Sequence, residues 1–286
     1  MTRIYDARVC QLGEGPLWHP IREQLFWFDI PGRKLLSRKG DRPLEWMFDE
    51  MVSAAGWISR SDLLIASESS LSRFNVDTGV RATLCTLEEG RPETRSNDGR
   101  ADPQGGFWIG TMGKKVQPGA GAIYRYFRGE LRRLFAGVTI PNSICFAPSG
   151  ALAYFSDTET QTVMQVELAA DGWPASPPRV FLDLTRESLH PDGAVVDARG
   201  NFWVAQWGKA RVACYDAGGR FVCAVPVGGS QSSCPAFGGV GMTTLFCTTA
   251  AIGLSDTQRA ETPDAGKLFC AETQCKGQYE HQVILS

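Results

Sequence analysis

DPQGGFWIGTM, residues 102–112, sets a turn-forming run directly ahead of an aromatic and aliphatic one. Pro103 and the paired glycines break regular structure, and Phe107, Trp108 and Ile109 favour the pleated strand that follows. The same phrase recurs along the chain as PIREQLFWFDI, RSDLLIASES, PSGALAYFSDT, DARGNFWVAQW and GGVGMTTLFCT. Anchored on Trp27, Leu64, Trp108, Tyr154, Trp203 and Phe246, the copies stand about 37 to 49 residues apart, close to the roughly 40–50 residues of a propeller blade. Further strands with polar turns follow most copies, as in GAIYRYFRGELRRLF and ARVACYDAGGRFVCAV. The pattern predicts an all-β chain folded as a six-bladed β-propeller, one domain over residues 1–286. A double sheet such as an immunoglobulin-like array is the alternative. The N-terminal strand is expected to share a blade with C-terminal strands around GKLFCAE and YEHQVIL, closing the ring and hiding its edges.

Composition narrows the function. Against 31 Asp+Glu stand 29 Lys+Arg, a formal charge of −2, so no field of one sign exists to draw nucleic acid or an anionic bilayer. With 43% hydrophobic and 21% charged residues the chain can bury a core. Charges in MTRIYDAR, where a signal peptide needs an apolar stretch, and the lack of a membrane-length apolar run predict a cytoplasmic protein. The 9 cysteines form no Cys-x-x-Cys pair, and several, such as Cys145 and Cys247, stand in strand-like runs. Buried free thiols are expected, rather than zinc clusters or disulfides. No Gly-x-Ser-x-Gly elbow or phosphate-cradling Gly-x-x-x-x-Gly-Lys loop is present.

The repeat aligns the chain with itself. About 11 to 13 residues ahead of the anchors stand Glu14, Ser53, Asn97, Asn142, Asp192 and Ser233, all polar. In a propeller this register falls near the start of the innermost strand, where side chains point into the central channel. Asn-Asp-Gly, Pro-Asn-Ser and Pro-Asp-Gly are also good turn sequences. For Glu14, Asn142 and Asp192 together, convergence at one mouth is the stronger reading, because hard oxygen donors bind Ca²⁺, Mg²⁺ or Mn²⁺. Such an ion would keep open positions for water and substrate.

LGEGPLWHP (12–20), RSNDGRADPQGGFWIGTMG (95–113), GAIYR (121–125), VTIPNSICFAPSGALAYFSDT (138–158) and HPDGAVVDARGNFWVAQWG (190–208) together resemble the senescence marker protein (regucalcin) and gluconolactonase family of six-bladed propeller lactonases. The resemblance spans nearly the whole chain. It implies metal ligation by Glu14, Asn142 and Asp192, substrate contact by Arg95 and Asn97, and hydrolysis of a sugar lactone with one divalent ion, Ca, Zn, Mn, Mg or Fe. Asp98 is assigned to a turn. The regucalcin branch carries a substrate-contacting glutamate after its G-T-M motif, where GKKVQPGAG (113–121) has no acid. Lys114, Lys115 and Gln117 stand there instead and are read as solvated surface.

Asp192 is the candidate general base, and Arg95 and Asn97 would hold the sugar's hydroxyls and carbonyl. His19 is read as a turn residue; His190 is either a donor orienting Asp192 or surface. Trp27, Trp108 and Trp203 are read as blade core, with Trp18 and Trp207 nearer the mouth. A monomer or weak homodimer is expected. Competing functions are a propeller esterase or phosphotriesterase, and a non-catalytic calcium-binding or sugar-sensing protein.

Overall fold

Short runs rich in β-branched and aromatic residues, each cut off by Gly, Pro or Asp, leave room only for four-residue to nine-residue strands. The structure is a computed structural model that describes residues 1–285. Its strands form six four-stranded antiparallel sheets arranged as a six-bladed propeller. Blade 1 comprises β2 (Gly13–His19), β3 (Gln24–Asp29), β4 (Lys34–Lys39) and β5 (Arg42–Met47). Blade 2 holds β6 (Val52–Trp57), β7 (Asp62–Ser67), β8 (Ser70–Asn75) and β9 (Arg81–Thr86). Blade 3 holds β10 (Thr94–Ala101), β11 (Phe107–Gly113), β12 (Gly121–Phe127) and β13 (Glu130–Val138). Blade 4 holds β14 (Pro141–Phe146), β15 (Leu152–Asp157), β16 (Thr162–Glu167) and β17 (Arg179–Asp183). Blade 5 holds β18 (His190–Val196), β19 (Phe202–Trp207), β20 (Arg211–Tyr215) and β21 (Phe221–Pro226). Blade 6 holds β22 (Gln231–Gly238), β23 (Thr244–Ala250), β24 (Leu268–Glu272) and, at its outer edge, β1 (Arg3–Asp6).

Burial falls from the axis outward, and the sequence follows it. The inner strands β2, β3, β7 and β14 are buried at every position, whereas β5, β9 and β21 are mostly exposed. Charged Arg42 and Arg81 stand on outer strands, where they discourage pairing with another chain. Aromatic contacts join neighbouring blades: Trp108 meets Phe146 edge-on at 5.5 Å, and Trp203 meets Phe237 at 5.6 Å. These tryptophans are fully buried core, as expected.

The Asp of the repeated phrase closes the turn between the first two strands of a blade. Asp102 Oδ1 accepts from the Gln104 and Gly106 amides, each at 2.9 Å. Asp197 does the same for Arg199 and Asn201, and its Oδ2 also takes the Trp203 indole N–H at 3.0 Å. Asp102 Oδ2 further accepts from Arg125 Nε at 2.6 Å, an ion pair with both side chains fully buried. The Arg125 guanidinium lies 4.5 Å from the Phe127 and Trp173 ring centres.

Ring closure follows the expected route in part. Strand β1 pairs antiparallel with β24, the GKLFCAE segment, through Arg3–Cys270 and Ile4–Phe269. The YEHQVIL segment, by contrast, adds no strand to blade 6. It crosses the end of the channel as an irregular tail, with isolated bridges such as Trp57–Gln282. Two further readings need correction. Trp18 stacks on Phe246 at 5.8 Å between blades 1 and 6, towards the end of β2 away from the site, so it forms no wall there. Cys145 and Cys247 are buried thiols, but Cys223 is exposed and Cys85 and Cys275 are half-buried. One short helix, α1 (Asp256–Glu261), starts with a capping box made by Ser255 and Gln258. Among the described residues no helix is long and apolar enough to cross a membrane.

Asp102→Ala should therefore strand the Arg125 cation and open its turn together. Breaking one half of a buried pair costs about 3–5 kcal/mol. Urea unfolding should show that loss as a lower midpoint at unchanged slope, and a loss under about 1 kcal/mol would contradict the role given to the pair.

Candidate active site

Each innermost strand breaks register at the position the self-alignment selects. The irregularities fall between Glu14 and Leu17, Val52 and Ala54, Ser96 and Gly99, Asn142 and Cys145, Pro191 and Ala194, and Ser232 and Pro235. Such bulges re-aim side chains without ending the sheet. At Glu14 and Asn142 the next residue, Gly15 or Ser143, takes a left-handed φ of 51° or 58°. Glycine adopts this freely, but Ser143 does not and is held by its surroundings. Its hydroxyl donates to the Asp192 carbonyl, and Ser156 Oγ donates to it at 2.9 Å.

Four of the six aligned residues, Glu14, Asn97, Asn142 and Asp192, line one cavity of about 460 Å³ at the mouth of the channel. Arg95, Met112, Ile140, Thr158, Glu159, His190 and Trp207 complete much of its wall. The two aligned serines bond between blades instead: Ser53 Oγ donates to Ser96 Oγ at 2.8 Å, and Ser233 Oγ to the Gly13 carbonyl at 2.5 Å.

A chain of hydrogen bonds fixes the polar groups. Arg95 donates to Asn97 Oδ1 at 2.9 Å, and Asn97 Nδ2 donates to Asn142 Oδ1 at 3.1 Å and to the Pro141 carbonyl at 3.0 Å. Asn142 Nδ2 donates to Thr158 Oγ1 at 2.8 Å, and that hydroxyl donates to the Pro191 carbonyl at 2.7 Å. Asn97 thus spends both amide protons within the protein. It offers substrate an acceptor, and donation falls to Arg95.

Glu14 and Asp192 are buried, and neither makes a salt bridge among the described residues; Glu14 Oε2 accepts from the Gly15 amide at 3.0 Å. Burial, then the nearby Asp98 charge, pushes the Glu14 carboxyl up. Burial, then Glu14 and Asp98, pushes Asp192 well above the usual range. Burial also lowers the Arg95 guanidinium to about 10, against the pull of Glu14, Glu68 and Asp192. Asp98 lies in the β10 bulge and not in a turn: its Oδ2 accepts from the Ile144 amide at 2.7 Å, and burial raises it to about 6.

Two buried acids that share one guanidinium at a distance and form no salt bridge among the described residues, beside an oriented amide oxygen, suit a hard divalent cation. Among the described residues no three of His, Cys, Asp and Glu gather at ligating distance; the expected set has two carboxylates and an amide.

Other expected positions resolve as follows. His19 is fully buried at the far end of β2, its Nε2 bonded to the Ser59 carbonyl at 2.8 Å. His190 lines the cavity but contacts Gln161 Nε2 at 3.1 Å and the Thr158 carbonyl, making no bond to Asp192. Lys114 and Lys115 are exposed, and Lys114 pairs with Glu68; Gln117 is half-buried and accepts from the Lys115 amide at 3.1 Å. Trp207 reaches the wall as expected. Sequence reasoning missed Met112 and Thr158. Like Trp207, each stands four residues past its anchor, where the second strand returns to the mouth, so the same repeat held the signal.

A model of the SMP-30/gluconolactonase/LRE-like region matches residues 12–251. The chain is 34% identical over 283 residues to an L-arabinolactonase of Azospirillum brasilense, covering 96% of this chain and 93% of that one. It is 31% identical over 294 residues to a pentonolactonase of Haloferax volcanii, covering 98% and 97%. A solved calcium-binding protein, regucalcin, from Agrobacterium tumefaciens superposes with a TM-score of 0.97 at 38% identity, over 100% of this chain and 98% of that one.

The raised carboxyls make stability fall with pH when no cation is present. The folded state holds their protons more tightly than the unfolded one, so the contribution of these two groups is fullest below about pH 4, the unfolded carboxylate range, and is lost as pH rises towards the elevated folded values. The urea midpoint of chelator-treated protein should drop across this range, and Glu14→Gln should flatten the slope while weakening ion binding. A Glu14→Gln slope equal to wild type would refute the assignment.

Proposed function

The chain belongs to the SMP-30/gluconolactonase/LRE-like family, and from that premise we propose that it is a divalent-metal-dependent lactonase opening sugar (aldono) lactones, such as gluconolactone or a pentonolactone, to aldonic acids. The observation that carries this reading is the meeting of two buried carboxylates with an oriented amide and a guanidinium on one sugar-sized cavity. The names of the arabinolactonase and pentonolactonase relatives support the substrate class. The same reading makes it a one-domain cytoplasmic protein, a monomer or weak homodimer.

Glu14, Asn142 and Asp192 would hold the ion. When bound, a divalent cation supplies Lewis acidity towards the lactone carbonyl and makes water more acidic. Asp192 takes the proton from the attacking water through its free carboxylate oxygen. Among the described residues Arg95 keeps Nε and one terminal nitrogen free of intramolecular bonds; these donate to the ring's oxygens, while Asn97 accepts from a sugar hydroxyl. Ile140, Met112 and Trp207 exclude water from the remaining faces. The opened product gains a carboxylate, which Arg95 also faces.

Proton release from a panel of aldonolactones, with protein stripped of metal and resupplied one ion at a time, tests this. Turnover should vanish on stripping and return with an ion, and lactones should exceed phosphotriesters. No acceleration with any ion would leave a binding protein. Asp192→Asn should lower kcat by about 10²–10⁴-fold, whereas Arg95→Ala should raise KM at near-wild-type ion affinity. Wild-type turnover in ion-loaded Asp192→Asn would remove Asp192 as base.

A further inference from the structure

Cys275, Gly277 and the residues up to Ile284 leave blade 6 and cross the channel at the end opposite the cavity. Their contacts fall on the far ends of the inner strands. Gln278 Nε2 donates to the Phe146 carbonyl at 3.0 Å and the Val196 carbonyl at 2.9 Å, joining β14 to β18. Phe146 stands four residues beyond Asn142, and Val196 four beyond Asp192, roughly 13 Å along a strand. At the near end the same two strands are joined by Ser143 and the Asp192 carbonyl. One amide therefore clamps the pair that carries two candidate ligands.

Glu280 acts on the third strand. Its carboxylate pairs with Arg100 of β10, both side chains largely buried, and Arg100 Nε donates to the Ile144 carbonyl at 3.3 Å. Asp98, also on β10, accepts from the Ile144 amide, so the peptide groups on either side of Ile144, two residues past Asn142, are both held by β10. The tail's seat is shaped for it. A Cβ on Gly56 would come within 2.5 Å of a Val283 methyl.

We infer that the C-terminal tail is a positioning strap for the reaction, with Gln278 and Glu280 setting from the far end of the channel the spacing of the bulges that present Asn97, Asn142 and Asp192. The strap touches no substrate. It rests on the lactonase reading only where turnover is measured.

The test compares Gln278→Ala and Glu280→Gln with Gln282→Ala, which removes an exposed tail bond to the Ile58 carbonyl of blade 2, a blade that lines none of the cavity. Hydrogen exchange is followed in peptides covering 140–145 and 190–194, alongside kcat and KM for an aldonolactone. Gln278→Ala should speed exchange in both peptides and Glu280→Gln in 140–145, and each should lower kcat/KM on the order of tenfold; Gln282→Ala should do neither. Glu280→Gln keeps the side chain's shape and serves alone if Gln278→Ala does not fold. A lower melting temperature with wild-type kcat/KM, and faster exchange only in residues 276–285, would reduce the strap to a staple and overturn the inference. If wild type opens no lactone, the proposed function fails, and exchange at 140–145 and 190–194 still decides for or against the strap.

Discussion

Two carboxylates, Glu14 and Asp192, are buried at the mouth of the channel, and neither forms a salt bridge among the described residues. Carboxylates taken out of water cost free energy until something positive meets them, and the rest of the inner ring is organised around holding them there. Bulges aim them inward, a left-handed Ser143 braces the carbonyl of Asp192, and the run from Arg95 through Asn97 and Asn142 to Thr158 leaves few rotamers free. Every one of these choices makes the ion-free protein less stable than an apolar plug would. Stability given up at one mouth is offset by the five buried hydrophobic clusters between and within the blades.

The fold was legible because a propeller repeats its physics. The DPQGG turn works through Asp102 and the DARGN turn through Asp197 by the same pair of hydrogen bonds, so the phrases look alike in sequence. Four residues of the cavity wall were legible for a related reason: the same register at the start of an inner strand recurs in every blade. What failed was local. Asp98 reads as part of an Asn-Asp-Gly turn, and nothing in the tripeptide says that neighbouring strands will straighten it into a bulge. YEHQVIL ends in an apolar run that reads as a strand, but blade 6 already takes β1 as its fourth. Trp18 sits in the same motif as Glu14 yet lies several residues further along β2, which carries it to the opposite end of the sheet.

The two ends of the channel differ in kind. The mouth is wide and lined by charged, amide and apolar side chains from blades 1, 3, 4, 5 and 6. The other end is closed by main chain, with backbone carbonyls of Phe146 and Val196 satisfied by a single glutamine. Only a cavity of about 30 Å³, room for a water molecule, remains beneath the tail beside Arg100 and Glu280. Such asymmetry gives solvent and ligand one way in.

Blade 6 borrows its outer strand from the opposite terminus, for Arg3 lies against Cys270. During synthesis β1 emerges long before its partner exists, so this pairing waits until residues 268–272 have been made. The contact is about as non-local as the chain allows, and its loop-closure entropy is met only at the end. Since residues 276–284 seat in the same final stretch, ring and floor are completed together, after every residue of the cavity has already been made. A ribosome-bound chain missing that stretch would carry all the polar groups of the mouth without the frame that spaces them.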